Sequence, residues 1–273
     1  MSGRLGKIFI YAALITGAVL TLAPLVWMVS ASLMPTGSAS SYPPRLFPTT
    51  VTLEHYRTLF TRLDLARYLA NSAAMATAVT ALSLLINSMA GYAFAKFRFR
   101  GRDRLFNTLL AAMVIPAQVA MLPLFLLLRQ MGMINTYWGV IVPGMASIFG
   151  IFLVRQYATS IPDDLLQAAR IDGAGEFRIY RSIVLPGLAP ILVTLAIFTF
   201  MGTWNDFMWP LIVLSDDSKY TLPVALANLS GEHVQDTELM MAGSVVTVLP
   251  VMLLFVSMQR YYIQGIMAGS VKG

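Results

Sequence analysis

The sequence predicts an all-α membrane protein with six transmembrane helices. Three observations carry that expectation. Charged residues make up 12% of the chain and hydrophobic residues 57%, whereas an ordinary soluble domain is about 25% charged. Mean hydropathy is +0.70. Apolar runs recur at the length of about 20 residues that a helix needs to cross hydrocarbon. Spans of this kind are helical because lipid offers the backbone no hydrogen-bond partner.

The first span covers about 8–34, IFIYAALITGAVLTLAPLVWMVSASLM. It is longer than the apolar core of a signal peptide, and no convincing cleavage site follows, so it reads as a span. Residues 35–67 are polar and proline-bearing, an external loop. The second span is about 68–95, the third about 105–128 and the fourth about 138–156. A polar segment, 157–182, precedes the fifth span at about 183–214. The sixth is about 238–259, and a tail follows at 260–273. The whole, 1–273, reads as one transmembrane domain. Prolines fall within the spans at Pro24, Pro116, Pro123, Pro143, Pro190, Pro210 and Pro250. Each removes a helix hydrogen bond and can kink the rod. They read either as common membrane-helix irregularity or as the mark of a bundle that lines a path and changes shape.

Orientation follows from the basic residues. With both termini on one side, that side holds 13 Lys and Arg against 6 on the other. The basic side is the cytoplasmic one. Both termini, the loop KFRFRGRDR (96–104) and the segment 157–182 therefore face the cytoplasm, and the chain is expected as a multi-pass protein of a bacterial inner membrane. The net charge of +6 lines membrane boundaries on this topology, which argues against a nucleic-acid partner.

Several chemistries are disfavoured. Cysteine is absent, so no disulfide framework, thiolate metal site or cysteine nucleophile exists. The two histidines, His55 and His233, fall in polar loops, so no metal site is expected. No GxxxxGK[ST] phosphate loop, HExxH or G-x-S-x-G motif occurs. The chain is expected to be no enzyme, to bind no cofactor and to hydrolyse no ATP itself. Asp206 lies near the outer end of the fifth span and Glu238 at a boundary. Coupled carriers normally place titratable or coordinating groups near the midplane; their scarcity puts the energy source elsewhere.

The odd stretch is DDLLQAARIDGAGEFRIYRSIVLP, 163–186. Asp163 reads as an N-cap, and Asp163 and Asp164 favour a helix dipole. LLQAAR is helix-forming. Gly173 stands where a helix end wants a left-handed residue. A second short helix, about 175–182, leads to Ile183, Leu185 and Pro186. Leu165, Leu166 and Ala169 are expected on one face, and Ala168 and Ala169 permit close approach. Such a unit can lie in the lipid interface, cap the bundle, or dock a cytoplasmic partner.

These residues resemble the EAA-x3-G-x9-I-x-L-P motif of type I ABC importer permeases. The chain reads QAA at Gln167, Ala168 and Ala169, then Gly173, Ile183, Leu185 and Pro186, with spacing intact. Residues 71–97, 115–139, 203–211 and 259–273 are similar to the carbohydrate-uptake branch. The resemblance implies the type I permease fold and a complex with a second, different permease, two ATPase subunits carrying ATP and Mg, and an extracytoplasmic sugar-binding protein. It implies a coupling helix between spans four and five, with Asp164, Gln167, Ala168, Ala169, Asp172, Gly173, Ile183, Leu185 and Pro186 serving the ATPase contact. A tail of Gly269, Ser270, Val271, Lys272 and Gly273 would reach the same partner. Gln167 stands where the family usually has Glu; Asp164, three residues earlier, is expected to supply the missing charge.

Polar residues in apolar spans, Asn71, Asn87, Gln118, Asn205 and Asp206, with Trp204 and Trp209 beside the last pair, are candidates for lining a sugar pathway. The same residues would serve equally as hydrogen-bonding joints between helices. A type I permease for glycerol phosphate or polyamine is the alternative; a cation would favour several acids in the path and a phosphate would favour internal Arg or Lys.

Overall fold

A computed structural model of the chain describes residues 2–43, 45–232 and 236–270, with side chains for 6–43, 45–229 and 236–257. Its main elements are helices: α1 Ser2–Ser32, α2 Glu54–Thr61, α3 Leu65–Lys96, α4 Arg102–Ala112, α5 Ala117–Gln130, α6 Tyr137–Gly144, α7 Ile148–Ala158, α8 Asp163–Ile171, α9 Glu176–Ile179, a π-helical turn Tyr180–Val184, α10 Leu185–Gly187, α11 Ala189–Trp204, α12 Met208–Val213, α13 Leu222–Glu232 and α14 Thr237–Ser270. Among the described residues, four helical stretches are long and apolar enough to cross a membrane: Gly6–Ser32, Leu65–Lys96, Tyr137–Ala158 and Thr237–Ser257. Two bent pairs, α4 with α5 and Glu176–Gly187 with α11, bring the number to six if each is one span.

The prolines do not act alike. Pro24, Pro123, Pro143 and Pro250 lie inside helices. The sharp bends come elsewhere, 105° between α4 and α5 and 77° between Glu176–Gly187 and α11. Pro116 stands at the first bend. Pro186 and Pro190 flank the second, where neither ring can donate an N–H across the joint. The expected rods 105–128 and 183–214 are therefore broken elements; the latter becomes α10, α11 and α12.

The chain forms two compact units, Met1–Arg67 with Leu222–Met252, and Tyr68–Thr221 with Leu253–Gly273. In the first, α1 leaves a long run of apolar side chains exposed, from Ile8 to Val29, the surface a helix offers to lipid. Ala31, Met34 and Ala39 form a small core with Trp27 and Met241. His55, expected in a polar loop, is buried in α2, its Nε2 2.9 Å from the Met34 carbonyl. Glu238 is buried and accepts the Ala39 N–H at 2.6 Å. His233 lies outside the described residues.

The second unit has two cores at opposite ends of α3. One joins Met75, Val79, Leu128, Val140, Ile141, Trp209, Val213 and Leu214. The other joins Tyr92, Val154, Ala158, Leu166, Ile179, Tyr180, Val184, Leu188, Ile191 and Leu195. The helices between them start on side-chain caps: Thr136 accepts the Gly139 N–H before α6 and Ser147 the Gly150 N–H before α7. The second core, at the Arg-rich end of α3, carries the segment of interest.

Candidate functional site

The segment begins after Pro162, whose extended backbone (φ −61°, ψ 132°) precedes α8 without a side-chain cap. Asp163 is thus not the N-cap. It is the first helical residue, and its carboxylate accepts from Lys96 Nζ at 2.7 Å. That hydrogen bond and the Lys96 charge hold Asp163 below the usual carboxylate range.

One face of α8 anchors it. Leu166 is 2% exposed among the second core's residues, and Ala169 packs beside it. Leu165, expected on that face, is exposed; with 3.6 residues per turn it lies about 100° around from Leu166. Asp164, Gln167, Ala168 and Asp172 are exposed too, so Asp164 and Gln167 stand together on the outer side.

Gly173 ends the helix at φ +79°. Its N–H donates to the Arg170 carbonyl at 3.0 Å and the Ala174 N–H donates to the Ala169 carbonyl at 2.9 Å. This pair of bonds is the Schellman closure. The four-residue step from Ala169 to Gly173 is therefore a geometric requirement. The first supplies the carbonyl that closes the motif, and the second supplies the left-handed backbone that only glycine adopts without strain.

An ion pair crosses the turn, Arg170 Nε donating to Glu176 Oε1 at 2.7 Å. Tyr92 Oη reaches Glu176 Oε2 at 3.4 Å. Ile183 and Leu185 are half-buried against the second core, while Pro186 is exposed. The π-helical turn between Tyr180 and Val184 adds one residue to the helical circuit, an irregularity common at working sites. On the two sides of the glycine turn, Ile171 is 86% and Phe177 71% exposed. Two large apolar side chains thus stand uncovered on a segment rich in charge. Gly269 and Ser270 close α14, and Val271, Lys272 and Gly273 lie outside the described residues.

The pathway candidates are less uniform. Asn87 is fully buried; its amide donates to Ser83 Oγ at 2.7 Å and its oxygen accepts the Ser147 N–H at 3.1 Å. Asn71 donates to the carbonyls of Ser218 and Tyr220 at 2.9 and 3.0 Å and accepts from Tyr137 Oη at 3.0 Å. Trp204 is buried and stacked on Phe200. Trp209 is buried, with Nε1 donating to the Gly139 carbonyl at 3.1 Å. Asn71, Asn87 and Trp209 thus bond across segments, while the Trp204 stack lies within α11. Gln118 and Asn205 are exposed. Asp206 accepts the Trp209 N–H at 3.3 Å, so it opens α12. Among the described residues, no three His, Asp or Glu side chains gather as a metal site would require.

Sequence reasoning missed the side chains of α3 that hold the segment, Ser88, Tyr92 and Lys96, and also Glu176. The available signal was their spacing of four residues along one helix face.

The chain resembles known proteins along most of its length. A family model described as "Binding-protein-dependent transport system inner membrane component" matches residues 84–267. The arabinooligosaccharides transport system permease protein of Halalkalibacterium halodurans is 40% identical over 83% of this chain and 81% of its own. The lactose transport system permease protein of Rhizobium radiobacter is 33% identical over 98% and 97%. A solved bacterial ABC transporter involved in the import of the acidic polysaccharide alginate has a chain that superposes with a TM-score of 0.85, at 24% identity, over 96% of this chain and 98% of that one. That likeness fixes the fold, an all-helical ABC permease fold. With a family match over most of its length and relatives of this similarity, the chain belongs to the inner-membrane components of binding-protein-dependent transport systems.

Proposed function

We propose that the chain is a permease subunit of an ABC importer that carries a neutral sugar, an oligosaccharide by preference, into the cytoplasm. It works with a second and different permease, two ATPase subunits and an extracytoplasmic sugar-binding protein. The whole chain acts as one permease domain of six spans in a bacterial inner membrane, with both termini cytoplasmic. The relatives named for arabinooligosaccharides and lactose support the sugar class. The scarcity of acids within the spans and the absence of midspan basic residues weigh against polyamine and glycerol phosphate.

The observation that carries the reading is the build of α8. It is a short rigid helix, closed by a Schellman turn, anchored by Leu166 and Asp163, with Ile171 and Phe177 turned outward and uncovered. This is the form of a coupling helix between spans four and five. Hydrolysis of ATP, bound with Mg on the ATPase subunits, supplies the energy. Closure of those subunits pushes on the outer face of α8, where Asp164 supplies the charge that Gln167 lacks. The displacement enters α7 through 159–162 and α11 through the π-helical turn and α10. The pathway then alternates between outward and inward access. The tail 269–273 adds a second contact with the ATPase pair.

The test is ATPase activity of the purified complex in lipid, with its binding protein and a panel of mono- and oligosaccharides. Stimulation by a sugar supports the reading. Stimulation by a non-sugar solute alone keeps the ABC architecture and overturns the substrate class. Failure to co-purify with any ATPase overturns the whole assignment.

A further inference from the structure

Beyond the apolar packing of the second core, residues 157–188 are tied to the rest of their unit by two kinds of route. Two are covalent, through α7 and through α10 into α11. The third is a line of side chains on α3, and it runs through no shared backbone. Ser88, Tyr92 and Lys96 are spaced by four, so they stack on one face over two turns. Ser88 Oγ lies 2.7 Å from Tyr180 Oη in the π-helical turn. Ser88 Oγ also lies 3.0 Å from the Leu85 carbonyl, so with Tyr180 as donor both bonds are made. Tyr92 Oη reaches Glu176, which also holds Arg170 near the end of α8. Lys96 grips the start of α8 through Asp163 at 2.7 Å. It also donates to the Ile161 carbonyl at 2.5 Å and the Thr159 carbonyl at 3.5 Å.

Lys96 is the telling member. Its side chain is 7% exposed, and a charge is kept out of water only where its partners satisfy it. Two of those partners are carbonyls just past the end of α7, the place where a cation suits the helix dipole. Lys96 therefore ties the ends of α3, α7 and α8 to one ammonium group. Between Ser88 and Tyr92, Gly91 brings α3 against α7 closely. A Cβ there would lie 2.6 Å from Val154 Cγ1 and 2.9 Å from the Arg155 backbone nitrogen. Both ends of α8 and the turn after it are thus mounted on one helix, α3.

We infer that Ser88, Tyr92 and Lys96 are positioning residues that make α3 a third output of the coupling segment. A push on α8 moves the end of α3 together with α7 and α11, and the pathway opens as one block. This inference rests on the importer reading. It adds to it a helix that the EAA-type motif does not contain.

The bonds of this route are made by side chains alone, so they can be cut while the backbone routes and the apolar packing stay whole. The experiment measures substrate transported per ATP hydrolysed in proteoliposomes holding the full complex, for the wild type and a Ser88→Ala, Tyr92→Phe, Lys96→Gln triple variant. The expected result is an assembled complex whose transport per ATP falls about fivefold or more, the scale of an ordinary coupling between sites. Lys96→Arg, which keeps a charged donor, should restore much of the ratio in place of Lys96→Gln. If the triple variant does not assemble, Lys96→Gln alone is measured, and it must lower the ratio. An assembled variant with the wild-type ratio overturns the inference and leaves the importer reading standing. A wild-type chain that binds no ATPase overturns both.

Discussion

The two ends of the second unit are both rich in polar contacts, yet they are built differently. At the Asn71 end, the contacts that join separate segments are short amide and indole bonds to backbone. Asn71 holds Ser218 and Tyr220, Trp209 holds Gly139, and Asn135 Oδ1 accepts the N–H groups of Ser215 and Asp216 at 3.1 and 3.0 Å. At the Lys96 end, the contacts run through long charged side chains, Lys96 to the start of α8 and Arg170 across the glycine turn, and large apolar residues stay uncovered beside them. Short amide and indole side chains hold one arrangement. A lysine and an arginine on flexible stems can follow a partner through a displacement. The first end is a frame and the second a linkage.

The sharpest break of that contrast is Gly173→Pro. Proline has φ near −65° and cannot take the +79° found there. Sugar-stimulated ATPase activity should vanish, while tryptophan fluorescence from the Trp209 end stays native. The opposite pattern follows from Asn71→Leu. Two carbonyls lose their donor and Tyr137 its acceptor, so thermal stability should fall by about 1–3 kcal/mol, the cost of unmade hydrogen bonds. Transport per ATP should hold in the protein that folds. Arg170→Gln sharpens the comparison further. Its pair with Glu176 is roughly half exposed on both sides, where such pairs give about 0–1 kcal/mol. Melting should barely move, and any loss should appear in the coupling ratio.

The smallest effect is one of pH. The Lys96 ammonium holds Asp163 below the usual carboxylate range. A depressed carboxylate stabilises the fold at pH above its ordinary value, and the contribution is lost as pH falls through the folded value. Melting of the wild type should exceed that of Asp163→Asn slightly at neutral pH, and the gap should close only below the ordinary carboxylate range. Asp216 provides a control at the opposite end. Its hydrogen bonds from Ser218 and Lys219 bring it to about 2, so its contribution should fade as pH falls from the ordinary carboxylate range to about 2.

What the sequence made legible follows from how local each feature is. The step from Ala169 to Gly173 is set within one helix end, so its spacing is readable without tertiary knowledge. The role of Asp163 is not, because its partner Lys96 lies 67 residues away. Leu165 and Leu166 are equally apolar, and only the core decides which is buried. The prolines are all visible, yet Pro24 and Pro250 leave their helices unbroken while sharp bends occur at Pro116 and at Pro186 and Pro190. Asn87 shows the same limit from another side. A polar residue in an apolar helix reads alike whether it faces a path or caps a neighbour, and here it holds the Ser147 N–H at the start of α7.

The central claim is that α8 and its turn are where the ATPase pair takes hold. The chain has no cysteine, so single-cysteine variants stand alone in their background. The direct measurement is cross-linking in the assembled complex from cysteines at Ile171 and Phe177, with Tyr137 at the opposite end of the unit as the control. Cross-links to an ATPase subunit from positions 171 and 177, altered by nucleotide and absent from 137, are the result this account predicts. No ATPase adduct from either position in a complex that hydrolyses ATP would contradict it.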